Sequence, residues 1–169
     1  MDLQLSNQLA LVSASTKGIG FAIALGLQEA GAHVVAHGLQ ERPATMPEDI
    51  AYLACDLCEP SAPETLIERA VVAEPGLDTL VCNAGSFFDV PFLEMTEVLW
   101  DRTMNLNLRT MFFTAQAFAR HLVREKRGGS IVIMSSTNGF QAEADSVAYD
   151  TSKGGLVMLV KQHAMELAP

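Results

Sequence analysis

A chain of 169 residues, 49% hydrophobic and 18% charged, holds enough apolar material for one compact domain with a sizeable core and too little length for two. Its formal net charge of −9 repels phosphate backbones and anionic lipid, which excludes a broad nucleic-acid or membrane footprint and leaves small-molecule substrates open. No apolar run reaches the roughly 18 to 20 residues that span a bilayer, and the start, Met1 to Ser6, lacks the basic flank and apolar core of a signal peptide, so the expected location is the cytoplasm.

In chain order, residues 9–12 form a short apolar run that ends in small residues, and 19–30 follow with apolar positions at helical spacing until Gly31 supplies a stop. Strand, loop and helix are predicted there. The pattern recurs, with strands at 32–36, 52–55 and 77–82 and a helix at 63–73. Two longer helical stretches, about 99–127 and about 148–167, flank a further strand at 130–135. Strands alternating with helices at this spacing favour right-handed crossovers and a parallel sheet covered on both faces, a doubly wound α/β fold in three α/β/α layers. In such folds ligands bind beyond the carboxyl ends of the strands, so the loops after Val12, Ala36, Cys55, Cys82 and Ser135 are the ones to read for chemistry.

The loop Ser13-Ala14-Ser15-Thr16-Lys17-Gly18-Ile19-Gly20 places backbone N–H groups and the positive end of a helix where a pyrophosphate can sit, although a G-x-G-x-x-G spacing is absent. Ser13, Ser15, Lys17, Gly18, Ile19 and Gly20 are the candidate contacts. Ala14 adds a methyl close to the turn, which is compatible with binding provided its φ is negative. A nucleotide fold that prefers NAD commonly carries an acidic residue at the end of the second strand, and here that place falls near His37-Gly38-Leu39. With Gly38 there and no carboxylate, a 2′-phosphate meets no repulsion and Lys17 can pair with it, so NADP is favoured over NAD; otherwise Lys17 is a solvated side chain. Cys55 and Cys58 form a C-x-x-C spacing, but no second Cys/His pair stands at ligand spacing, so no metal is expected.

Tyr149 and Lys153, four apart, share one face of the last predicted helix. A lysine ammonium held near a phenol favours phenolate and brings a group that titrates near ~10 closer to acid–base work at neutral pH. Alone, such a pair is most often a surface pair. Its company is what matters: Ser136 follows the apolar strand 131–134 and offers a hydroxyl to a substrate oxygen, and Asn83-Ala84-Gly85 ends another strand with small residues that admit a flat ligand. Trp100 and Asn107 lie seven apart in the long helix, with Asn105 as a rival to Asn107.

Together these stretches resemble the short-chain dehydrogenase/reductase family in order, spacing and residue type. The loop is similar to that family's T-G-x-x-x-G-x-G, with Ser13 for Thr and Ala14 for the first Gly, and Cys82 replaces the first Asn of its N-N-A-G strand end. The resemblance implies a Rossmann-type fold and an NAD(P)(H)-dependent oxidoreductase that interconverts a carbonyl and a secondary alcohol. It implies that Tyr149 exchanges a proton with the substrate oxygen, Ser136 holds that oxygen, Lys153 lowers the tyrosine pKa and binds the nicotinamide ribose, and Asn107 anchors a relay water. It further implies that Asp56 and Leu57 lie at the adenine, that Asn83, Ala84 and Gly85 line the cofactor site, and that the chain assembles as a homodimer or homotetramer through its long helices. Family members continue past Pro169, so the last strands are expected to be lacking and the sequence to belong to a longer protein. The competing function is a catalytically silent nucleotide-binding scaffold or sensor, which would have no need of Ser136, Tyr149, Lys153 and Asn107 together.

Overall fold

The computed structural model describes residues 5–168; most of the chain start read above for a signal peptide, residues 1–4, lies outside the described residues. Strand β1 (Leu9–Val12) leads into α1 (Gly18–Glu29), β2 (His33–Gly38) and β3 (Ala51–Ala54), then α2 (Ala62–Ala73) and β4 (Thr79–Cys82). A helical run follows as α3 (Glu97–Met104), a π-helical segment (Asn105–Arg109) and α4 (Thr110–Glu125), before β5 (Ser130–Ile133) and α5 (Val147–Leu167). The five strands are ordered β3-β2-β1-β4-β5 and every neighbouring pair is parallel, so strand order reverses between β1 and β4.

Alternating side chains divide the interior into two layers, as a sheet buried on both faces requires. Leu11, Val35, Leu80 and Cys82 pack with α2, α4 and α5 through Leu66, Ile67, Met111, Phe118 and Leu156. Val12, Val34, Ala36 and Val81 face the other way, onto Ala24 of α1. The three-layer α/β/α architecture is therefore present.

The alternation of strand and helix lapses once. Between β2 and β3 the crossover at 39–50 has no helix, where Pro43 and Pro47 oppose one. Met46 and Ile50 are buried there instead and plug the layer beside α1. Arg42 straps the segment by donating from Nη1 to the Ile50 carbonyl at 2.8 Å and from Nη2 to the Pro47 carbonyl. The long helix predicted at 99–127 is likewise interrupted, because residues 105–109 widen to π-helix around Asn107. Among the described residues β5 pairs with β4 alone, and Ser130 and Val132 are exposed.

Candidate active site

The loop after β1 reaches α1 through a tight set of protein contacts. Ser13 is buried, and its Oγ accepts from the backbone N–H of Asn83 at 2.8 Å and of Ala84 at 3.3 Å, which joins the loops on either side of the point where strand order reverses. Asn83 answers by donating from Nδ2 to the carbonyls of Ser13 and Ala14 at 3.3 and 3.1 Å. Ser15 is buried as well, its hydroxyl donating to the Val12 carbonyl at 2.8 Å. Both serines have hydroxyls engaged by the protein, so they shape the loop. Lys17, Gly18 and Ile19, by contrast, are exposed, and the N-terminus of α1 has no side-chain cap, leaving its first N–H groups free for an anion.

Ala14 departs from expectation: its φ is +50°, in the left-handed region rather than negative. The family's glycine at this place would adopt that conformation without cost, whereas alanine holds it only because its neighbours fix it. Gly20 is needed for a different reason, since a methyl there would collide with Asn83 Nδ2 and the Ala14 carbonyl oxygen. Gly38 is buried, and a side chain there would meet Thr16 and the Tyr52 hydroxyl, which itself donates to the Gln40 carbonyl at 2.6 Å. Asp56 is exposed, with Oδ1 accepting from the Cys58 amide at 2.9 Å, and Leu57 is buried in the core.

Across the same edge of the sheet, α5 presents Tyr149 and Lys153. Lys153 Nζ lies 5.5 Å from the centre of the Tyr149 ring and donates to the Met134 carbonyl, just after β5, at 3.0 Å. Burial pulls its ammonium below the usual lysine pKa, so a charged Lys153 depends on oxygen partners in its pocket. Asn107, fully buried, uses both ends of its amide on Ser86, accepting from the N–H and donating to the carbonyl at 2.8 Å each, and its Nδ2 also reaches Ser152 Oγ at 3.4 Å. Asn105 reaches outward to Arg109 instead. A Cβ on Gly85 would lie 3.3 Å from Asn107 Oδ1 and 3.6 Å from Lys153 Nζ, which brings Gly85, Asn107 and Lys153 together.

Ser136 and its neighbour Ser135 separate by partner. Ser135 Oγ donates to the Lys153 carbonyl at 3.0 Å, whereas Ser136 Oγ accepts from the Asn138 amide at 3.2 Å and has only a long 3.4 Å contact to Asn138 Oδ1 for its proton. Asn138 Nδ2 in turn donates to Asp150 Oδ1 at 2.7 Å, tying the turn that bears Ser136 to the helix that bears Tyr149. Burial pushes the Asp150 carboxyl up, but hydrogen bonds from Ser146, Asn138 and the Glu143 amide outweigh it and hold the pKa below the ordinary carboxylate range. No hydrogen bond joins Ser136 directly to Tyr149 among the described residues.

Three further side chains build the site: Phe87, whose sequence reading is open between pocket lining and local core, His37, read only as marking the end of the second strand, and Asp89, which the sequence does not mark. Asp89 Oδ2 accepts from the backbone N–H of Ala148 at 2.8 Å and of Tyr149 at 3.0 Å, and so caps α5 from the loop after β4. Phe87 packs edge-on against the Tyr149 ring, with centroids 5.4 Å apart. His37 stands beneath the loop after β1, where its Nδ1 accepts from the Ala14 amide. None of these contacts has a linear signal, because each partner is remote in sequence. Cys82 is fully buried and its thiol is pushed up to about 12 by desolvation, while burial raises the Cys55 and Cys58 thiols as well, so none is poised as a nucleophile. Among the described residues no cluster of metal-ligating side chains forms, and no helix is long and apolar enough to cross a membrane.

Comparison with known proteins agrees with this layout. The chain is 37% identical to human dehydrogenase/reductase SDR family member 4 over 98% of its length, and spans 62% of that protein. It is 36% identical to the L-xylulose reductase of Mesocricetus auratus, covering 69% of it, and 34% identical to the 3-oxoacyl-[acyl-carrier-protein] reductase of Aquifex aeolicus, covering 71%. The structure of a short chain dehydrogenase from Mycobacterium smegmatis superposes with a TM-score of 0.91 at 29% identity, over 96% of this chain and 71% of that one. Residues 8–169 match the short chain dehydrogenase profile, and with it the strand order, the loop after β1 and the Tyr149–Lys153 helix are accounted for: the chain belongs to the short-chain dehydrogenase family.

Proposed function

We propose that this chain carries the dinucleotide site and the proton-transfer residues of an oxidoreductase that interconverts a carbonyl and a secondary alcohol. The observation that carries this reading is Tyr149 beside a buried Lys153 on one face of α5, at the carboxyl edge of the sheet. Relatives whose names are L-xylulose reductase and 3-oxoacyl-[acyl-carrier-protein] reductase support the reaction class rather than either substrate. The residues fit a nicotinamide dinucleotide. Lys153 spends one N–H on Met134 and keeps two for ribose hydroxyls, the uncapped start of α1 offers N–H groups to a pyrophosphate, and Gly85 leaves the ground beside Asn107 and Lys153 open. When bound, the coenzyme supplies or accepts the hydride.

The side chains do the rest. Ser136, whose hydroxyl proton is only weakly engaged, donates a hydrogen bond to the substrate oxygen and orients it while keeping its proton. Tyr149 gives its phenolic proton to that oxygen in reduction and takes it back in oxidation. Lys153 stabilises the phenolate left behind and fixes the ribose, and Asn107, through its two bonds to Ser86, holds the widened helix open beside them. Tyr149→Phe in the full-length protein removes the proton and keeps the ring. We expect turnover to fall by at least about 100-fold, the usual scale of general acid–base catalysis, with coenzyme affinity within about twofold. Retained kcat overturns the assignment.

NADP is the favoured coenzyme. Leu39, just past β2, is exposed, no carboxylate stands at 37–40, and the exposed Lys17 has no partner among the described residues and can meet a 2′-phosphate. Parallel fluorescence titrations with NADPH and NADH, repeated on Lys17→Gln, test this: the preference for NADPH shrinks in the variant, and tighter NADH binding by the wild type sinks it. Gly38→Asp is a poor probe of the same point, because its Cβ meets Thr16 and Tyr52 before its charge meets any ligand.

A further inference from the structure

His37 is only 3% exposed, yet each of its polar groups has a partner, three of them in the loop after β1 and one just past β3. Its backbone N–H donates to Ser15 Oγ at 3.0 Å, and its carbonyl accepts from the Ser15 amide at 2.8 Å. Its ring bridges the loop assigned to the pyrophosphate and the residue just past β3, beside the adenine end. Nδ1 accepts from the Ala14 amide at 3.1 Å, and Nε2 faces the Cys55 carbonyl at 3.1 Å. Because an amide can only donate, Nδ1 must be bare and the proton must sit on Nε2. The ring therefore fits between the loops after β1 and β3 in its neutral form alone. Ala14, held by that amide bond, is the residue whose φ of +50° an alanine does not choose unaided.

We propose that His37 is a positioning residue for the dinucleotide: its neutral imidazole pins Ala14 in the left-handed turn that aims the loop 13–20 at the pyrophosphate, and protonation of the ring releases that loop. The inference rests on reading the loop after β1 as the coenzyme site. A second proton would have to sit on Nδ1 and would point at the Ala14 N–H, donor against donor, so the charged ring cannot keep the contact. Desolvation lowers the pKa of this histidine, in keeping with a ring kept neutral by its enclosure. The titratable and charged groups that face it are Cys55 and Asp56 beyond β3 and Arg69 of α2, with Arg69 opposing protonation and Asp56 favouring it. The sign follows. A histidine with its folded pKa depressed keeps the closed loop intact above about pH 6.5, the ordinary value, and loses that contribution as pH falls below it, because the released ring takes up the proton.

NADH is the suitable probe, since it lacks a 2′-phosphate that itself titrates near ~6. Its Kd is measured by fluorescence from about pH 8 to about pH 5.5 on the wild type, His37→Asn and His37→Leu, with urea midpoints recorded in parallel. Asparagine keeps an acceptor near the place of Nδ1 and does not titrate; leucine removes the acceptor. We expect the wild-type Kd to rise about three- to tenfold across the acid half of the range, His37→Asn to stay flat within about twofold near the wild-type value, and His37→Leu to bind at least about fivefold more weakly at every pH. Wild-type affinity in folded His37→Leu, or the wild-type pH slope in His37→Asn, overturns the inference while leaving the coenzyme reading standing. A wild type that binds neither NADH nor NADPH overturns the reading and the inference with it.

Discussion

A carboxylate that never touches the reacting atoms has a measurable part in this site. Asp89 satisfies two of the free N–H groups at the start of α5, one of them on Tyr149 itself, and its Oδ1 is buried with no partner among the described residues. Asp89→Ala should cost about 1–2 kcal/mol in urea unfolding, the scale of a lost N-cap, and should lower kcat with coenzyme affinity unchanged; Asp89→Asn, which keeps an acceptor oxygen, should recover most of both. Equal damage by the two variants would contradict a capping role. At this scale the sequence was legible where chemistry and spacing coincide. Tyr149 and Lys153 stand out because four residues is about one helical turn, and Asn107 because the family resemblance sets it seven residues past Trp100, whereas the opening of the helix at its buried amide is seen only in the structure. His37, Asp89 and the left-handed Ala14 were hidden, because His37 lies 23 positions from Ala14 and Asp89 lies 59 and 60 positions from the amides it caps.

Among the elements, the strands and helices read from apolar periodicity all exist, with ends displaced by a few residues. β2 runs on to Gly38, past the predicted stop at Ala36, because it remains paired with β3 through Gly38 and Ala54. The helix-free crossover at 39–50 is the clearest case of tertiary control. A parallel connection usually calls for a helix, but here two prolines, the Arg42 strap and the buried pair Met46 and Ile50 close the layer without one. The strand-to-helix junction is closed just as tightly at Gly20. Gly20→Ala is expected to destabilise the protein by about 1–3 kcal/mol, the range for overpacking, and to weaken coenzyme binding more than tenfold, because the methyl must displace either Asn83 or the Ala14 carbonyl. A thermal melt and a titration read the two effects separately, and a variant with wild-type values in both would show that the junction has slack.

Over the whole molecule, a concavity of about 910 Å³ is lined by Met104, Leu108 and Phe112 on one side and Met158 and Leu159 of α5 on the other, with Tyr149 outside its lining. The outer faces of α4 and α5 also expose Phe113, Met158 and Val160. We expect a second copy to cover this surface in the full-length protein, as the family resemblance implies, and light scattering at micromolar concentration should report a dimer or tetramer that Met158→Glu shifts toward monomer; a wild-type monomer would refute it. The strand order carries a last consequence. Among the described residues β1 is flanked on both sides, whereas β3 and β5 each have a single ladder. The carbonyl on which His37 leans belongs to Cys55, one residue past β3, and the carbonyl on which Lys153 leans belongs to Met134, one residue past β5. Both buried side chains thus hang from strands that have one ladder each among the described residues, next to the last ladder bonds, Cys55 N–H to the Gly38 carbonyl and Met134 N–H to the Cys82 carbonyl. Warming should unseat them while the centre of the sheet is still intact, so that coenzyme affinity fades at temperatures where the far-ultraviolet spectrum is still native.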